Sequence, residues 1–407
     1  MMKGKGNGMS KRSDMKTGDV VKFYDKYVMN TYKRIPLCLE RASGAKVWDI
    51  DGKQYLDLFP GWAVSGIGHC HPRVVVAIAK QAKKLMHVSN NYYSEPQAML
   101  AEAIIKNSFA GKVFFANSGA EANEAAVKLA RKYGHDKGRF EIITMTKSFH
   151  GRTLAMITAT GQDKVKIGFE PLPQGFIHVP FNDLEALREA ITEKTIGIML
   201  EPVQCEGGIN IADKGYMKNL RAICDEKDIV LIFDEVQTGM GRSGKMFAYQ
   251  NYGITPDVMT LAKALGGGLP IGVCVAREKF QDVLTPGTHA STFGGSPIVC
   301  AAALAVFEAI KKEKLIENAQ KMGSYLVKKL NAFKTKYHFV KEVRSLSLII
   351  GVELNIKGDD IYKECLKEGL LINCTQDTVL RIMPPLNITK GEVDKAISIL
   401  DKVFSKI

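Results

Sequence analysis

VMTLAKALGGG, residues 258–268, places one charged side chain, Lys263, at the end of an apolar run and follows it with three glycines. Lysine is seldom fully buried unless it has a partner or a use, and burial lowers its pKa. A neutral amine is the form that reacts with an aldehyde. The alternative is a structural lysine whose ammonium extends into solvent. The remaining sequence distinguishes a reactive Lys263 from a structural one.

Apolar runs that predict strands alternate with segments of helical periodicity on both sides of this segment. Such alternation predicts an α/β fold, in which a mostly parallel central sheet is covered by helices on both faces. Ligands bind to such sheets at the carboxyl ends of the strands. The polar residues at or just past those predicted ends are Ser118, His150, Glu201, Asp234 and Lys263.

Changes in the sequence pattern predict the domain organisation. Residues 1–18 are rich in glycine and lysine, lack the apolar core of a secretory signal, and predict a flexible tail. We expect 19–65 to be an N-terminal segment that packs with a small domain, and 66–312 to be the large α/β domain. An α+β pattern over 313–407 predicts the smaller C-terminal domain.

Composition excludes several classes of function. The net charge of +13 comes mainly from lysines spread along the 407 residues, so it predicts a basic surface that would attract dicarboxylates. No basic block is interleaved with aromatic residues, which argues against nucleic acid. No apolar run approaches the roughly 18 residues of a membrane span. The eight cysteines lack a CxxC pair, which favours reduced thiols in the cytoplasm.

No metal site is expected from the sequence. Cys70 lies between His69 and His71, but adjacent residues on a turn seldom converge on one ion. Asp234 and Glu235 could share a metal instead, yet successive strand residues point to opposite faces. Asp234 follows four apolar residues, so its carboxylate needs a partner at the tip of a buried strand, and a pyridinium N–H would be a natural one.

The segment after the first strand of the large domain predicts an anion site. Ser118, Gly119 and Ala120 lead into a helix, whose free N–H groups and dipole favour a phosphate. Ser118 with Glu121 also fits a capping box, and both interpretations can hold together.

Two further segments carry groups suited to a planar, charged ligand. Phe149 precedes His150 and could stack on a flat ring, and Arg152 could bind a carboxylate through two parallel hydrogen bonds. Glu201 and Glu206 add two acids after another strand.

Together these segments resemble the class III aminotransferases, pyridoxal-phosphate enzymes of fold type I. The segments that carry the resemblance, in the family's order, are FANSGAEANEAAVKLAR (115–131), SFHGRT (148–153), EPVQCEGG (201–208), LIFDEVQTGMGRSG (231–244), TLAKALGGGLPIG (260–272), STFGGSP (291–297) and LRIMPPLNIT (380–389). The resemblance implies that the 66–312 domain binds pyridoxal 5'-phosphate (PLP).

The resemblance also implies a role for particular residues. Lys263 would hold the aldehyde of PLP and Asp234 its ring nitrogen, and these two are the expected catalytic residues. The other expected cofactor contacts are Ser118, Gly119 and Ala120 at the phosphate, Phe149 and Val236 on the ring faces, Gln237 at the phenolic oxygen, Glu235, and Thr292 at the phosphate of a partner subunit. The expected substrate contacts are Trp62, Arg152, Glu206, Ser291 and Arg381.

The resemblance further implies a gate. Arg381 would pair with Glu206 while the amino donor binds, and would be released for the α-carboxylate of glutamate.

Within the family the chain is most similar to the acetylornithine aminotransferases. This implies transfer of the terminal amino group of N-acetylornithine to 2-oxoglutarate, giving N-acetylglutamate semialdehyde and glutamate in arginine biosynthesis, by a homodimer with active sites at its interface. Ornithine, succinylornithine and 4-aminobutyrate are alternative donors, and a mutase of glutamate semialdehyde needs no 2-oxoglutarate. A nucleotide-binding regulator is the alternative outside catalysis.

The chain departs from the family pattern at two places. Trp62 lies where ornithine-acting relatives carry a hydroxylated aromatic residue, which disfavours free ornithine. VRSLSLIIGVEL, residues 343–354, stands where relatives carry a glycine-rich turn, so we expect an altered local turn.

Overall fold

The computed structural model describes residues 15–407, so most of the predicted tail lies outside the described residues. The first helix begins at Thr17, so it includes the last two residues of the predicted tail. The N-terminal elements are α1 (Thr17–Tyr27), β1 (Leu39–Ser43), β2 (Lys46–Asp49), β3 (Gln54–Asp57), α2 (Pro72–Ala82) and α3 (Glu95–Asn107). β1, β2 and β3 pair antiparallel in sequence order, and a turn that contains Asp51 and Gly52 joins β2 to β3.

The central elements form an α/β unit with the predicted alternation. They are β4 (Gly111–Ala116), α4 (Gly119–Gly134), β5 (Glu141–Met145), α5 (Leu154–Ala159), β6 (Phe176–Val179), α6 (Leu184–Ala190), β7 (Thr195–Leu200), β8 (Val203–Gln204), β9 (Asn210–Ile211), α7 (Lys214–Glu226), β10 (Val230–Asp234), β11 (Val258–Leu261), β12 (Gly272–Arg277) and α8 (Pro297–Lys312). Short 3-10 turns occur at His135–Lys137, Asp163–Val165, Ala248–Asn251 and Lys263–Gly266.

In the part of the chain that the structure describes, the main sheet has seven strands in the order β4-β12-β11-β10-β7-β5-β6. β12 runs antiparallel to both of its neighbours, and the other pairings are parallel. The prediction of a mostly parallel sheet is therefore confirmed. The carboxyl ends of β4, β5, β7, β10 and β11 lie at one edge, where the predicted polar residues follow them.

Helices cover both faces of this sheet because its strands are apolar on both sides. Along β10, Val230 and Ile232 pack with α4, and the alternate residues Leu231 and Phe233 pack with α7 and α8. Because side chains alternate between the two faces of a strand, successive residues of β10 lie in two different cores. All five residues of β10 are buried.

The C-terminal elements form a smaller α+β unit, as predicted. They are α9 (Leu315–Lys336), β13 (Val340–Leu346), β14 (Ile349–Leu354), α10 (Asp359–Lys367), β15 (Leu370–Leu371), β16 (Asn373–Thr375), β17 (Val379–Ile382) and α11 (Lys390–Phe404). Four of these strands make an antiparallel sheet in the order β13-β14-β17-β16. β15 instead pairs in parallel with β3, so the N-terminal hairpin is hydrogen-bonded to the C-terminal unit. The boundaries at 65 and 312 stay predictions.

The altered turn at 343–354 joins β13 to β14. Ser347 lies there in the left-handed region with φ 56°, a conformation that favours glycine. The buried Ser347 hydroxyl has no hydrogen-bond partner among the described residues. Gly323 of α9 faces this turn, and a Cβ at Gly323 would lie 2.8 Å from the carbonyl atoms of Ser347.

Across residues 15–407, every helix is too short or too polar to cross a lipid bilayer.

Candidate active site

A cavity of about 420 Å³ lies at the carboxyl edge of the main sheet. The strand ends bring residues from distant segments to its wall, as expected for a parallel sheet. Eleven of the residues singled out from the sequence line it: Ser118, Gly119, Ala120, Phe149, His150, Glu201, Glu206, Asp234, Val236, Gln237 and Lys263.

Lys263 follows β11 and opens a 3-10 turn in this cavity. Its backbone lies in the left-handed region with φ 46°, a strained conformation for a residue with a side chain. Burial lowers the pKa of its ammonium below the ordinary lysine value, although the negative charge of Glu206 acts in the opposite direction. The ammonium of Lys263 therefore loses its proton more readily than that of a surface lysine.

Asp234 ends β10 and is held by three donors. Its Oδ2 accepts hydrogen bonds from Nδ2 of Asn123 and from Nδ1 of His150, both at 2.8 Å, and its Oδ1 accepts the backbone N–H of Val236 at 3.0 Å. Because the carboxylate is an acceptor, Nδ1 of His150 carries a proton. Nε2 of His150 is buried and has no partner among the described residues.

Asn123 and Thr260 were not singled out from the sequence, yet they fix the position of Asp234. The Thr260 hydroxyl donates to Oδ1 of Asn123 at 2.6 Å, so Nδ2 of Asn123 must face Asp234. That same nitrogen also donates to the carbonyl of His150 at 2.7 Å. The available signal was a polar residue on the alanine-rich buried face of α4, where Ala122 and Ala126 are fully buried.

The N-terminus of α4 forms one wall of the cavity. Ser118 is the N-cap, and its Oγ accepts the N–H of Glu121 at 3.2 Å, as predicted for a cap. The carboxylate of Glu121 accepts the N–H of Asn117 at 2.7 Å, one residue earlier than in a standard capping box. A Cβ on Gly119 would lie 2.8 Å from Val236, so only glycine leaves this approach open.

Two acids with different electrostatics follow β7. Glu201 accepts the backbone N–H of Phe149 at 3.1 Å, and burial followed by the charge of Asp234 raises its pKa well above the ordinary value. Burial also acts to raise the pKa of Glu206, but the charge and hydrogen bonds of Arg381 hold that pKa below the ordinary value. Glu206 is the ionised acid of the two.

Arg381 lies behind Glu206 and is fully buried. Its Nη1 and Nη2 donate to the two carboxylate oxygens of Glu206 at 2.7 and 3.1 Å. The rings of Phe59 and Trp62 lie 4.5 and 5.3 Å from the guanidinium carbon. Asn373 accepts from the remaining edge of the guanidinium, from Nε at 3.1 Å and from Nη2 at 2.8 Å.

Trp62 is half exposed at 51% and sits on a left-handed backbone with φ 61°. It is not part of the cavity wall, and its ring packs beside the guanidinium of Arg381.

Glu235 was expected to contact the cofactor, and the structure places it elsewhere. Its carboxylate accepts the backbone N–H groups of Ala248 at 2.5 Å and Tyr249 at 2.7 Å, on the side of the strand away from the cavity. The alternation of side chains that separates Glu235 from Asp234 accounts for this. Burial raises the pKa of Glu235 to about 7.

Three expected contacts lie at the rim rather than in the cavity wall. The guanidinium carbon of Arg152 lies 5.5 Å from the ring centroid of Phe149. Ser291 accepts a hydrogen bond from Nδ2 of Asn117 at 3.1 Å, beside the phosphate-site helix. Thr292 is exposed.

Among residues 15–407, no group of three or more histidine, cysteine, aspartate or glutamate side chains is arranged to hold a metal ion. His69 pairs with Asp57 at 2.8 Å, and His71 pairs with Glu313 at 3.2 Å.

Comparison with known sequences identifies the family. A model of the class-III aminotransferases matches residues 27–404. The acetylornithine aminotransferase of Methanocaldococcus jannaschii is 54% identical over 391 residues, covering 94% of this chain and 97% of that protein. The acetylornithine aminotransferase of Caldanaerobacter subterraneus is 51% identical over 392 residues, covering 95% of this chain and 100% of that protein.

Solved structures agree with the sequence relatives. The ornithine aminotransferase of Toxoplasma gondii, described with partial occupancy of PLP at its active site, superimposes with a TM-score of 0.93 at 32% identity, covering 96% of this chain and 95% of that one. The acetylornithine aminotransferase of Elizabethkingia anophelis gives a TM-score of 0.86 at 30% identity, covering 96% and 99%. The fold class predicted from the sequence is confirmed. Because the family model spans nearly the whole chain, the protein belongs to the class-III aminotransferases.

Proposed function

We propose that this aminotransferase moves the terminal amino group of N-acetylornithine to 2-oxoglutarate, giving N-acetylglutamate semialdehyde and glutamate. Two relatives that are 54 and 51% identical over nearly the whole chain are acetylornithine aminotransferases. The observation that carries the proposal is that Lys263 and Asp234 line the same cavity. Burial lowers the pKa of Lys263, and three hydrogen-bond donors hold the carboxylate of Asp234.

The residues of the cavity fit PLP. Gly119 leaves room for close approach at the N-terminus of α4, where the first-turn N–H groups have no partner within the helix. Oε1 of Gln237 is buried without a partner among the described residues, so it is available to a hydrogen-bond donor of a ligand. Ser118, Gly119 and Ala120 would hold the phosphate, Phe149 and Val236 the ring faces, Gln237 the phenolic oxygen and Asp234 the ring nitrogen.

When bound, PLP supplies an aldehyde that joins covalently to amines and a ring that accepts electrons from the substrate carbon. Lys263 would hold the aldehyde and, once displaced by the donor amine, would take the proton from the substrate carbon as a neutral base. Asp234 would keep the proton on the ring nitrogen, because Asn123 and His150 fix the position of its carboxylate.

The Glu206–Arg381 pair supports the use of two different substrates in one cavity. While Glu206 neutralises Arg381, this guanidinium is not available to a carboxylate of the ω-amine donor. Displacement of the Glu206 carboxylate would present the two N–H groups that it occupies to the α-carboxylate of glutamate or 2-oxoglutarate. Arg152, whose guanidinium carbon lies 5.5 Å from the ring centroid of Phe149, would bind the donor's carboxylate.

We further propose that two chains join as a homodimer in the cytoplasm. Helix α1 has no buried residue, and apolar side chains on the same chain are exposed around α2, α3 and Thr292. These exposed residues are Val75, Val76, Tyr92, Tyr93, Met99 and Phe293. An apolar area of this kind favours burial against a partner, and Thr292 would then reach the partner's phosphate site. All eight cysteines are unpaired, in keeping with a reducing compartment.

The cofactor proposal is tested by titrating the purified protein with PLP and recording its visible absorbance. Wild type should become yellow with one PLP per chain, and Lys263→Ala should lose the covalent absorbance while keeping its fold by circular dichroism. Lys279→Ala, which removes an exposed lysine, is the matched control. A wild-type protein that takes up no PLP would refute the proposal.

The donor is tested with a panel of N-acetylornithine, succinylornithine, ornithine and 4-aminobutyrate, each with 2-oxoglutarate as acceptor. The highest kcat/KM is expected for N-acetylornithine. A reaction on glutamate semialdehyde that proceeds without 2-oxoglutarate would instead identify a mutase. The dimer is tested by light scattering, where Val76→Asp should give monomers with weaker PLP binding.

A further inference from the structure

The short strand β16 contacts both members of the Glu206–Arg381 pair. In the register of the small sheet, Asn373 of β16 is directly opposite Arg381 of β17. Directly opposed residues of antiparallel strands place their side chains on the same face, about 5 Å apart at Cβ. Asn373 is therefore a direct cross-strand neighbour of the arginine, whose other such neighbour, Gly351 of β14, has no side chain, and Oδ1 of Asn373 accepts from both Nε and Nη2.

Two acceptors bind the guanidinium of Arg381 at the same time. Asn373 occupies the edge formed by Nε and Nη2, and Glu206 occupies the edge formed by Nη1 and Nη2. Departure of the Glu206 carboxylate would free the second edge alone. The first edge would remain bound to Asn373, so the guanidinium would keep its orientation and present a two-donor fork to an incoming carboxylate.

The acceptor on the first edge is a neutral amide, and this matters for the charge of the site. Arg381 has no exposed surface, so its positive charge is poorly screened by water. An amide holds the guanidinium without neutralising it. A carboxylate at the same place would pair with Arg381 permanently and would compete with the carboxylate of the substrate.

The residues that follow Asn373 hold the backbone of Glu206. The hydroxyl of Thr375 donates to the carbonyl of Glu206 at 2.8 Å, and Nε2 of Gln376 donates to the same carbonyl at 3.0 Å. With the backbone fixed, the Glu206 carboxylate leaves Arg381 by side-chain rotation, and neither the strand carrying Arg381 nor the segment carrying Glu206 needs to move.

We propose that Asn373 is a positioning residue that holds Arg381 in place after Glu206 releases it, without offsetting its positive charge. The arginine can then select the α-carboxylate of glutamate and 2-oxoglutarate. The proposal rests on the proposed function, since it assigns the specificity of one of the two half-reactions. It assigns no role to Asn373 toward the ω-amine donor, whose carboxylate would bind elsewhere.

The test compares two amino donors on the same PLP-loaded enzyme in single turnovers followed by absorbance. Glutamate needs Arg381, and N-acetylornithine does not, while both convert the same cofactor form. Asn373→Ala removes the acceptor, and Asn373→Asp keeps its size but adds a charge. Asn355→Asp, an exposed asparagine of the same small domain, is the control for added charge.

Both Asn373 variants should weaken the apparent affinity for glutamate and 2-oxoglutarate about tenfold or more, as expected when a hydrogen bond to a charged group is lost or its charge is neutralised. Their apparent affinity for N-acetylornithine should stay within about twofold of wild type. N355D should match wild type for every substrate.

Equal losses for both donors, or no loss for glutamate, would overturn the role of Asn373. Loss of PLP binding in both variants would also overturn it, because Asn373 would then be a structural residue. A wild type that reacts with glutamate but not with N-acetylornithine would refute the proposed donor and leave the glutamate comparison between wild type and N373D as the test of Asn373.

Discussion

Nδ2 of Asn123 lies 2.8 Å from Oδ2 of Asp234, so an amide of the helix α4 donates directly to the carboxylate expected at the ring nitrogen. Asn123→Ala removes this donor and should lower kcat at every pH, by roughly one to two orders of magnitude for a residue that orients a catalytic group. Measured kcat with saturating substrates checks this.

Asn123→Asp should instead lose activity in a pH-dependent way. Two carboxyl groups at this separation cannot both ionise easily, so they would share one proton and the pKa of one of them would rise. At low pH the new acid can donate to Asp234 as the amide does. As pH rises and that proton leaves, kcat should fall faster than in wild type; parallel pH profiles would contradict this account.

The pair of Glu206 and Arg381 should make stability depend on pH. The folded-state pKa of Glu206 is below its ordinary value of 4.5, so the stabilisation is fully present above that value and is lost as pH falls through the folded pKa. Glu206→Gln should therefore cost about 2 kcal/mol at neutral pH, since it leaves a buried guanidinium without a counter-charge. The cost should shrink below about pH 4.5.

Urea unfolding of wild type and E206Q from pH 4 to pH 8 measures this difference. Glu342→Gln, at an exposed acid on β13, is the control and should give a small difference at all pH values. A cost for E206Q that grows as pH is lowered would contradict the sign of the linkage.

Ser347→Gly should stabilise the protein by about 1 kcal/mol. Glycine adopts the left-handed conformation of residue 347 without a steric penalty, and the change also removes a buried hydroxyl that has no partner among the described residues. Ser347→Ala removes the hydroxyl alone. The difference between the two variants in urea unfolding isolates the backbone contribution, and S347A as stable as S347G would show that the backbone conformation costs nothing.

Two glycine-to-alanine changes in helices should have opposite effects. Gly323→Ala in α9 brings a Cβ within 2.8 Å of the backbone of Ser347 and should cost about 2 kcal/mol. A Cβ on Gly391, in the first turn of α11, meets nothing within 4 Å, so Gly391→Ala should gain about 0.5 kcal/mol from helix propensity. Melting temperatures of the two variants should lie on opposite sides of wild type.

The sequence predicted the elements that depend on local pattern. Apolar runs predict strands over 141–145, 229–233 and 258–261, and the observed β5, β10 and β11 lie within a residue of these bounds because each run has a sharp polar boundary. The residues just past those ends meet in one cavity because parallel strands share a carboxyl edge. Residues 19–34, which include several aromatic side chains, also predict a helix, but α1 ends at Tyr27 because Val28 is extended.

Elements defined by distant partners were missed. β15 and β16 are only two and three residues long, and their pairing depends on strands elsewhere in the chain. The position of Asn373 opposite Arg381 follows from that pairing register, so no local sequence pattern predicts it. Asn123 was missed for the same reason, because its partners Thr260 and Asp234 come from two other strands.

The parallel pairing of Leu56 with Leu370 has a consequence for how the chain is made. Synthesis delivers every strand of the main sheet by Arg277, so that sheet can form while the ribosome is still translating. The N-terminal strands, made first, have no partner for the outer edge of β3 until nearly the whole polypeptide has emerged. Until then this open strand edge is available for non-native strand pairing.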